Sequence, residues 1–240
     1  MKTLAIIPVY RDNDRIFKVL SKFKEMLVDE ICIIMDAASK KDAEKILNVS
    51  VPIAVHLIRN DERKGIGHAI RQGIDYALKN DFSVVVVLAG NNKDDPREIS
   101  RLLEPIIKED YDYVQGSRFL AGGKHVRNPL FRGMFSRFYP FLWTILTNVR
   151  CSDVTNGFRA YKLKIFENPG INIWQRWLDD YELEYYIHYK VLTLGYKTVE
   201  VPVSKIYSHR NKGGYSQISP FRDWWRIVRP LFYLRLGTKH

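Results

Sequence analysis

A chain of 240 residues, 46% of them hydrophobic and 27% charged, can bury a sizeable core; it suits one α/β domain with an extension, or two small domains, and excludes a disordered chain. The formal net charge of +11 implies a phosphate-bearing partner: nucleic acid, anionic lipid or a phosphorylated small molecule. The two cysteines, Cys32 and Cys151, have no disulfide-type or ligand-type spacing, which points to a reducing, cytosolic environment.

In chain order, residues 4–9 read as a strand, 14–27 as an amphipathic helix and 30–35 as a second strand. A helix near 41–47, a third strand at 53–58 and a helix at 67–78 follow. Residues 82–88 form a strongly β-branched strand, 96–107 a helix and 113–116 a short strand. Short β-branched runs separated by helical patterns imply a parallel sheet with crossover helices. Ligands bind beyond the carboxyl ends of such strands, so chemistry is expected just after Val9, Met35, Ile58 and Leu88. The second half is less regular. Residues 130–148 are apolar and aromatic with basic punctuation, 181–194 look helical with Gly195 as a stop, and 197–203 read as a strand. Residues 221–236 place Trp224, Trp225, Phe232 and Tyr233 among Arg222, Arg226, Arg229 and Arg235.

The positive charge is local. Residues 118–150 carry six Lys/Arg and no acid, and residues 204–240 carry eight Lys/Arg and one acid; the remainder is close to neutral at −2. Both basic segments are aromatic, so 131–149 and 221–236 read as helices lying in a membrane surface, with packing on the core as the other reading. No apolar run reaches the ~18–20 residues of a membrane span, and no signal peptide precedes the first strand. No nucleic-acid reader motif is present. His68, His125, His188 and His209 lack metal-ligand spacing.

The strand ends carry the motifs. After the first strand come Pro8, Val9, Tyr10, Arg11 and Asp12, and after the second Asp36, Ala37, Ala38 and Ser39. The fourth is followed by Ala89, Gly90, Asn91, Asn92, Lys93, Asp94 and Asp95. Farther on come Gly116, Ser117 and Arg118; Asp153 through Asn156, Gly157, Phe158 and Arg159; Glu200, Val201 and Pro202; then Arg210, Gly214 and Ser216. This order resembles family 2 glycosyltransferases, and within them the dolichyl-phosphate mannose synthase branch. The resemblance covers about residues 4–220. It implies an α/β chain with the type-A glycosyltransferase fold: a Rossmann-like, mostly parallel sheet with flanking helices, plus a C-terminal amphipathic helical extension. The expected organisation is a catalytic domain over 1–217, with a nucleotide-binding half at 1–117 and an acceptor half at 118–217, and a membrane-surface tail at 218–240.

The resemblance further implies that Pro8, Tyr10, Asp12 and Asp36 hold the nucleotide base and ribose, where a carboxylate accepts two hydrogen bonds. A turn-forming Asp36 is the structural alternative. Gly90, Asn91, Lys93, Arg118, Arg210 and Lys212 are expected on the donor; the family's later lysine is Gln217 here. Arg63, Lys64, Gly65 and Gly67 read either as a basic loop near the diphosphate or as a plain helix start. The family's Asp-x-Asp, which holds a divalent metal (Mg or Mn), is replaced by Ala89 and Asn91, with Lys93 following. Two readings stay open: Lys93 supplies the positive charge itself, or Asn91 with Asp94 holds a metal. Asp95, Pro96 and Glu98 have the pattern of a helix start, which leaves Asp94 as the better ligand.

Arg118, Arg132 and Ser136 match the pattern that meets a lipid-phosphate acceptor. A phosphate acceptor needs no general base, whereas a hydroxyl would, with Asp153, Glu182 and Glu184 as candidates. Lys93, Asp153, Arg159 and Glu184 are the catalytic candidates, Arg159 through its place in the family motif. The expected function is an inverting transfer of sugar from a nucleotide-sugar to a polyprenyl-phosphate-type lipid, at the cytoplasmic face of an anionic membrane, alone or with a membrane-protein partner or a second copy. The alternatives are transfer to a saccharide hydroxyl and a non-catalytic nucleotide-binding relative.

Overall fold

The structure, a computed structural model, describes residues 1–11, 14–126, 130–207 and 222–239, without the side chains of 130–132, 222 and 223. Seven strands form one sheet: β1 (Thr3–Tyr10), β2 (Glu30–Asp36), β3 (Ala54–Asn60), β4 (Val84–Val87), β5 (Tyr113–Ser117), β7 (Arg159–Lys162) and β8 (Thr198–Pro202). Their order is β3-β2-β1-β4-β7-β5-β8, and all neighbours are parallel except β7, which runs antiparallel to both β4 and β5. A small second sheet pairs β6 (Lys124–Val126) with β9 (Ser204–Ile206).

Both faces of the large sheet are covered, which is why its central strands read as unbroken apolar runs. Alternate residues of β1 go to opposite faces: Ala5, Ile7 and Val9 to one core, Leu4 and Ile6 to the other. Helices α1 (Arg15–Leu20), α2 (Lys40–Leu47) and α4 (Ile99–Glu109) cover the first face through Ile16, Val19, Ile46, Leu102 and Ile106. Helices α3 (Ile66–Lys79) and α6 (Glu182–Thr193) cover the second through Ile70, Ile74, Leu183 and Ile187. Gly73 lets α3 lie close to the sheet, since a Cβ there would stand 2.6 Å from Ile6 Cγ2.

Two further helices lie among the described residues. Helix α5 (Leu130–Thr147) and α7 (Arg222–Arg235) pack with α6 around Tyr139, Trp143, Tyr185, Ile227 and Leu231. Helix α7, expected as a membrane-surface tail, is docked: Arg226 pairs with Asp180 and Arg229 with Glu182. Its aromatic residue Trp224 stacks on Phe135 of α5 at 5.1 Å. The expected boundary at 217–218 lies outside the described residues.

The element expectations hold in the main; the short strands β6 and β9 were not among them, and three differences have a local reason. Helix α1 stops at Leu20 rather than 27: the next backbone N–H groups, of Lys22 and Phe23, turn tighter onto the carbonyls of Val19 (3.1 Å) and Leu20 (3.0 Å), and Met26 is 74% exposed. Residues 96–98 form a 3-10 turn, capped by Asp95, before α4 begins. Strand β7 was not anticipated, because two of its four residues are the buried charges Arg159 and Lys162, which satisfy themselves through specific partners rather than through an apolar pattern.

Candidate active site

The carboxyl ends of β1, β2 and β4 open into one cavity of about 520 Å³, closed on its other side by residues of α5, α6, β9 and α7. That is the position a doubly wound sheet offers to a ligand. The loops leaving these three strands each turn through a non-glycine residue in the left-handed region: Arg11 (φ 55), Ala37 (φ 56) and Asn92 (φ 59). Such residues persist where the surroundings over-determine them, and they concentrate at functional sites.

Pro8, Tyr10, Asp36, Gly90, Asn91 and Lys93 all line the cavity, as the strand-end motifs imply. Asp36 is buried, and its carboxylate accepts hydrogen bonds from the backbone N–H groups of Lys64 (2.8 Å) and Gly65 (2.9 Å). Asp36 therefore ties a loop 28 residues on rather than its own turn. It fixes the 63–65 loop and still faces the cavity with acceptor capacity to spare. The guanidinium groups of Arg11 and Arg63 stand over the Tyr10 ring at 5.1 and 5.2 Å. The two glycines of that loop serve close packing. Gly65 has φ +101, and a Cβ on Gly67 would lie 2.0 Å from the Leu178 carbonyl oxygen. The approach of residues 178–180 to the start of α3 brings Asp180 to the cavity wall.

After β4 the arrangement departs from a carboxylate cluster. Ala89 offers only a methyl group, and Asn91 Oδ1 accepts the Lys93 backbone N–H at 3.1 Å. Asp94 is 1% exposed, with Oδ1 2.7 Å from Lys205 Nζ and Oδ2 accepting from the Ala89 N–H at 3.3 Å. Lys205 Nζ also donates to Asn156 Oδ1 at 3.0 Å. The Lys93 ammonium lies 4.8 Å from the centre of the Tyr207 ring. Among the described residues no three His, Cys, Asp or Glu side chains cluster as a cation would require. The Asn91 and Asp94 oxygens expected as metal ligands are thus already engaged, and an ammonium sits beside the one carboxylate. This donor set does not fit a divalent metal.

Several expected site residues turn inward instead. Arg118 is 3% exposed and does not reach the cavity; it grips Asp153 through Nε (2.6 Å) and Nη2 (2.7 Å), and its backbone N–H donates to the same carboxylate. One buried ion pair thereby withdraws both a phosphate-binding and a base candidate. Arg159, expected as catalytic, donates to the backbone carbonyls of Val154, Asn156 and Glu184, tying β7 to α6. Burial costs its charge, yet the surrounding tyrosines and Glu184 raise its pKa further above the usual arginine range. Glu182 is spent on Arg229.

Glu184 alone of the three base candidates lines the cavity. It lies against Gly157, where a Cβ would stand 2.5 Å from its Oε1. Desolvation raises its pKa above the ordinary glutamate value, opposed by Arg159 and Lys205. Ser136 also faces the cavity, donating to the Gly133 carbonyl at 3.0 Å. Asp12, Arg210, Lys212 and the Arg132 side chain lie outside the described residues.

Sequence reading missed Arg15, Thr155, Asp180, Tyr181, Trp224 and above all Lys205 on the cavity wall. A signal for Lys205 existed: Val203, Lys205 and Tyr207 alternate, and all three are buried. A lysine in phase with two buried residues must find a partner inside.

With this geometry in view, comparison with known proteins is specific. The profile of the family described as Glycosyl transferase family 2 matches residues 4–169. The polyprenol monophosphomannose synthase of Mycolicibacterium smegmatis is 26% identical over 207 residues, covering 85% of this chain and 77% of that protein. The undecaprenyl-phosphate mannosyltransferase of Micrococcus luteus is 25% identical, covering 85% and 83%. Among solved structures, glucosyl-3-phosphoglycerate synthase from Mycobacterium tuberculosis in complex with Mg2+ and uridine diphosphate superposes with a TM-score of 0.68. At 14% identity it covers 98% of this chain and 79% of that one, and bears on the fold alone. The seven-stranded sheet, the cavity at its strand ends and the matched profile place the chain in glycosyl transferase family 2, with the type-A fold, on the branch that resembles the polyprenyl-phosphate mannosyltransferases.

Proposed function

We propose that the protein transfers a sugar from a nucleotide-sugar to a polyprenyl-phosphate-type lipid at a membrane surface, with inversion at the anomeric carbon. The relatives named for polyprenol and undecaprenyl phosphate support the acceptor class. The observation that carries the reading is the two-sidedness of α5. It turns Phe135 and Ser136 into the cavity, while Met134, Phe138, Phe141 and Ile145 stand 52–68% exposed along its outer side. Their spacing puts them in one stripe, and a stripe of large apolar residues on a basic segment suits the boundary between lipid chains and anionic head groups. A lipid lying along that stripe has its phosphate end beside the cavity.

The nucleotide end of the donor is assigned to Pro8, Tyr10 and Asp36, with Arg63 above the Tyr10 ring. Lys93 stabilises the leaving diphosphate, together with Arg210 and Lys212. An acceptor phosphate with a second pKa of about 6 is largely ionised at neutral pH, so its oxygen attacks without a general base.

A second reading rests on Glu184. A carboxylate facing the cavity with a pKa raised by burial suits a general base, which a saccharide hydroxyl acceptor needs. Radiolabelled transfer from UDP-, GDP-, CDP- and dTDP-sugars to a short polyprenyl phosphate and to a saccharide panel separates the two. The proposal expects lipid-phosphate product, retained within a few-fold in Glu184→Gln. Saccharide product abolished by Glu184→Gln, with none on the lipid phosphate, would overturn it in favour of the hydroxyl acceptor. Binding of a nucleotide with no transfer to either acceptor would leave a non-catalytic relative.

A further inference from the structure

Resting on the donor reading above, we propose that Lys205 is a leaving-group residue. Its ammonium, oriented by Asp94 and Asn156, donates to the terminal phosphate of the nucleoside diphosphate in a site that works without a divalent metal. The juxtaposition is specific. Lys205 lines the cavity beside Lys93, Asn91 and Gly157, yet its side chain is only 10% exposed. An ammonium has three N–H donors. Two go to Asp94 Oδ1 at 2.7 Å and Asn156 Oδ1 at 3.0 Å, leaving one for a ligand in the cavity.

Each partner is itself held. Asp94 accepts from the Ala89 N–H, and Asn156 Nδ2 donates to the Gly116 carbonyl at 2.9 Å, so the ammonium is positioned rather than mobile. The tie also spans the fold. Asp94 forms an isolated antiparallel bridge with Lys205, joining the loop after β4 to strand β9. A carboxylate that would otherwise be a cation ligand thus serves as counter-ion to a built-in cation. The pair is neutral as a unit, so Lys205 supplies an aimed, charge-assisted hydrogen bond, and the Lys93 ammonium lines the same cavity.

The step balances without a metal or an added proton. An oxygen of the ionised acceptor phosphate forms a bond to the anomeric carbon with its own electron pair. The bond from that carbon to the terminal phosphate oxygen of the donor breaks, and its electron pair leaves on the diphosphate. Negative charge therefore moves from acceptor to leaving group, where Lys205 and Lys93 meet it.

The test is the preference for nucleoside diphosphate over monophosphate, measured by calorimetry with UDP against UMP and GDP against GMP, in EDTA and then with added Mn2+. The wild-type chain should prefer one diphosphate in EDTA, and Lys205→Met should lose about 10-fold to 100-fold of that preference with monophosphate binding unchanged. Lys205→Arg should retain part of it. Because Lys205→Met leaves Asp94 buried without its partner, the paired variant Asp94→Asn/Lys205→Met is measured beside it, with circular dichroism on both; it should lose the preference equally. A wild-type preference that appears only with Mn2+, or one that survives in the folded double variant, overturns the proposal. If no nucleotide binds under any condition, the donor reading itself fails, and Lys205 falls with it.

Discussion

His188 sits in the sheet-facing side of α6, 1% exposed, with its Nδ1 2.8 Å from the Tyr113 hydroxyl. Its Nε2 has no hydrogen-bond partner among the described residues, and the Trp143 ring lies 5.1 Å away. Burial, with the Arg159 charge behind it, holds the imidazole pKa well below its ordinary value. The unfolded chain therefore takes up a proton, as pH falls through about 6.5, that the folded chain refuses. The stability that the neutral ring contributes is present above that value and is lost progressively below it. Burial raises the carboxyls Glu182, Glu184 and Glu200, which pulls the opposite way. Comparison with His188→Phe isolates the imidazole: the urea midpoint of the wild-type chain should fall relative to that of the variant as pH is lowered from about 8 to about 5. A constant gap between them would show that His188 is not the group responsible. The residue scale also marks where sequence reading stops. That Arg118 follows a strand end is legible; that it turns to Asp153, 35 residues on, and not to the cavity is a three-dimensional fact. Lys205 shows the converse, since its phase with Val203 and Tyr207 was legible and its cavity position was not.

Elements were more legible than side chains, because periodicity reports burial directly. Strands β1 to β4 and helices α2 and α3 lie where their patterns put them, and the cavity opens at the carboxyl ends of β1, β2 and β4. What did not show was contact between elements distant in sequence, such as the seat of α3 on the 178–180 loop. Alanine normally stabilises a helix over glycine by ~1 kcal/mol. At Gly67 the added Cβ meets the Leu178 carbonyl at 2.0 Å, so Gly67→Ala should instead destabilise by ~1–3 kcal/mol, read as a lowered urea midpoint. It should also weaken nucleotide binding, because the same loop carries Asp180. A stability equal to or above wild type would mean that the loop yields without strain.

At the scale of the whole molecule, α5 presents a stripe of exposed apolar side chains, Met134, Phe138, Phe141 and Ile145. No helix among the described residues is long and apolar enough to cross a membrane. Each phenylalanine contributes ~1.5–3 kcal/mol when fully buried, so Phe138→Ser with Phe141→Ser should reduce sedimentation with anionic vesicles at least ~10-fold. Transfer to a water-soluble, short-chain phosphate acceptor should be unaffected. Equal vesicle binding by the two proteins would remove the stripe from the membrane account.

The antiparallel strand β7 has a consequence for how the molecule comes into being. It is the fifth strand in space, but it arrives after β5 and α5 in the chain. Until residue 162 has been synthesised, the four valines of β4 form the outer edge of a growing parallel sheet, with one side of their backbone unpaired. The first 117 residues are thus not a unit that can close by itself. They hold an open, apolar edge that only the second half of the same chain seals, and the interval between the two is when the nascent protein is most exposed to pairing with a neighbour.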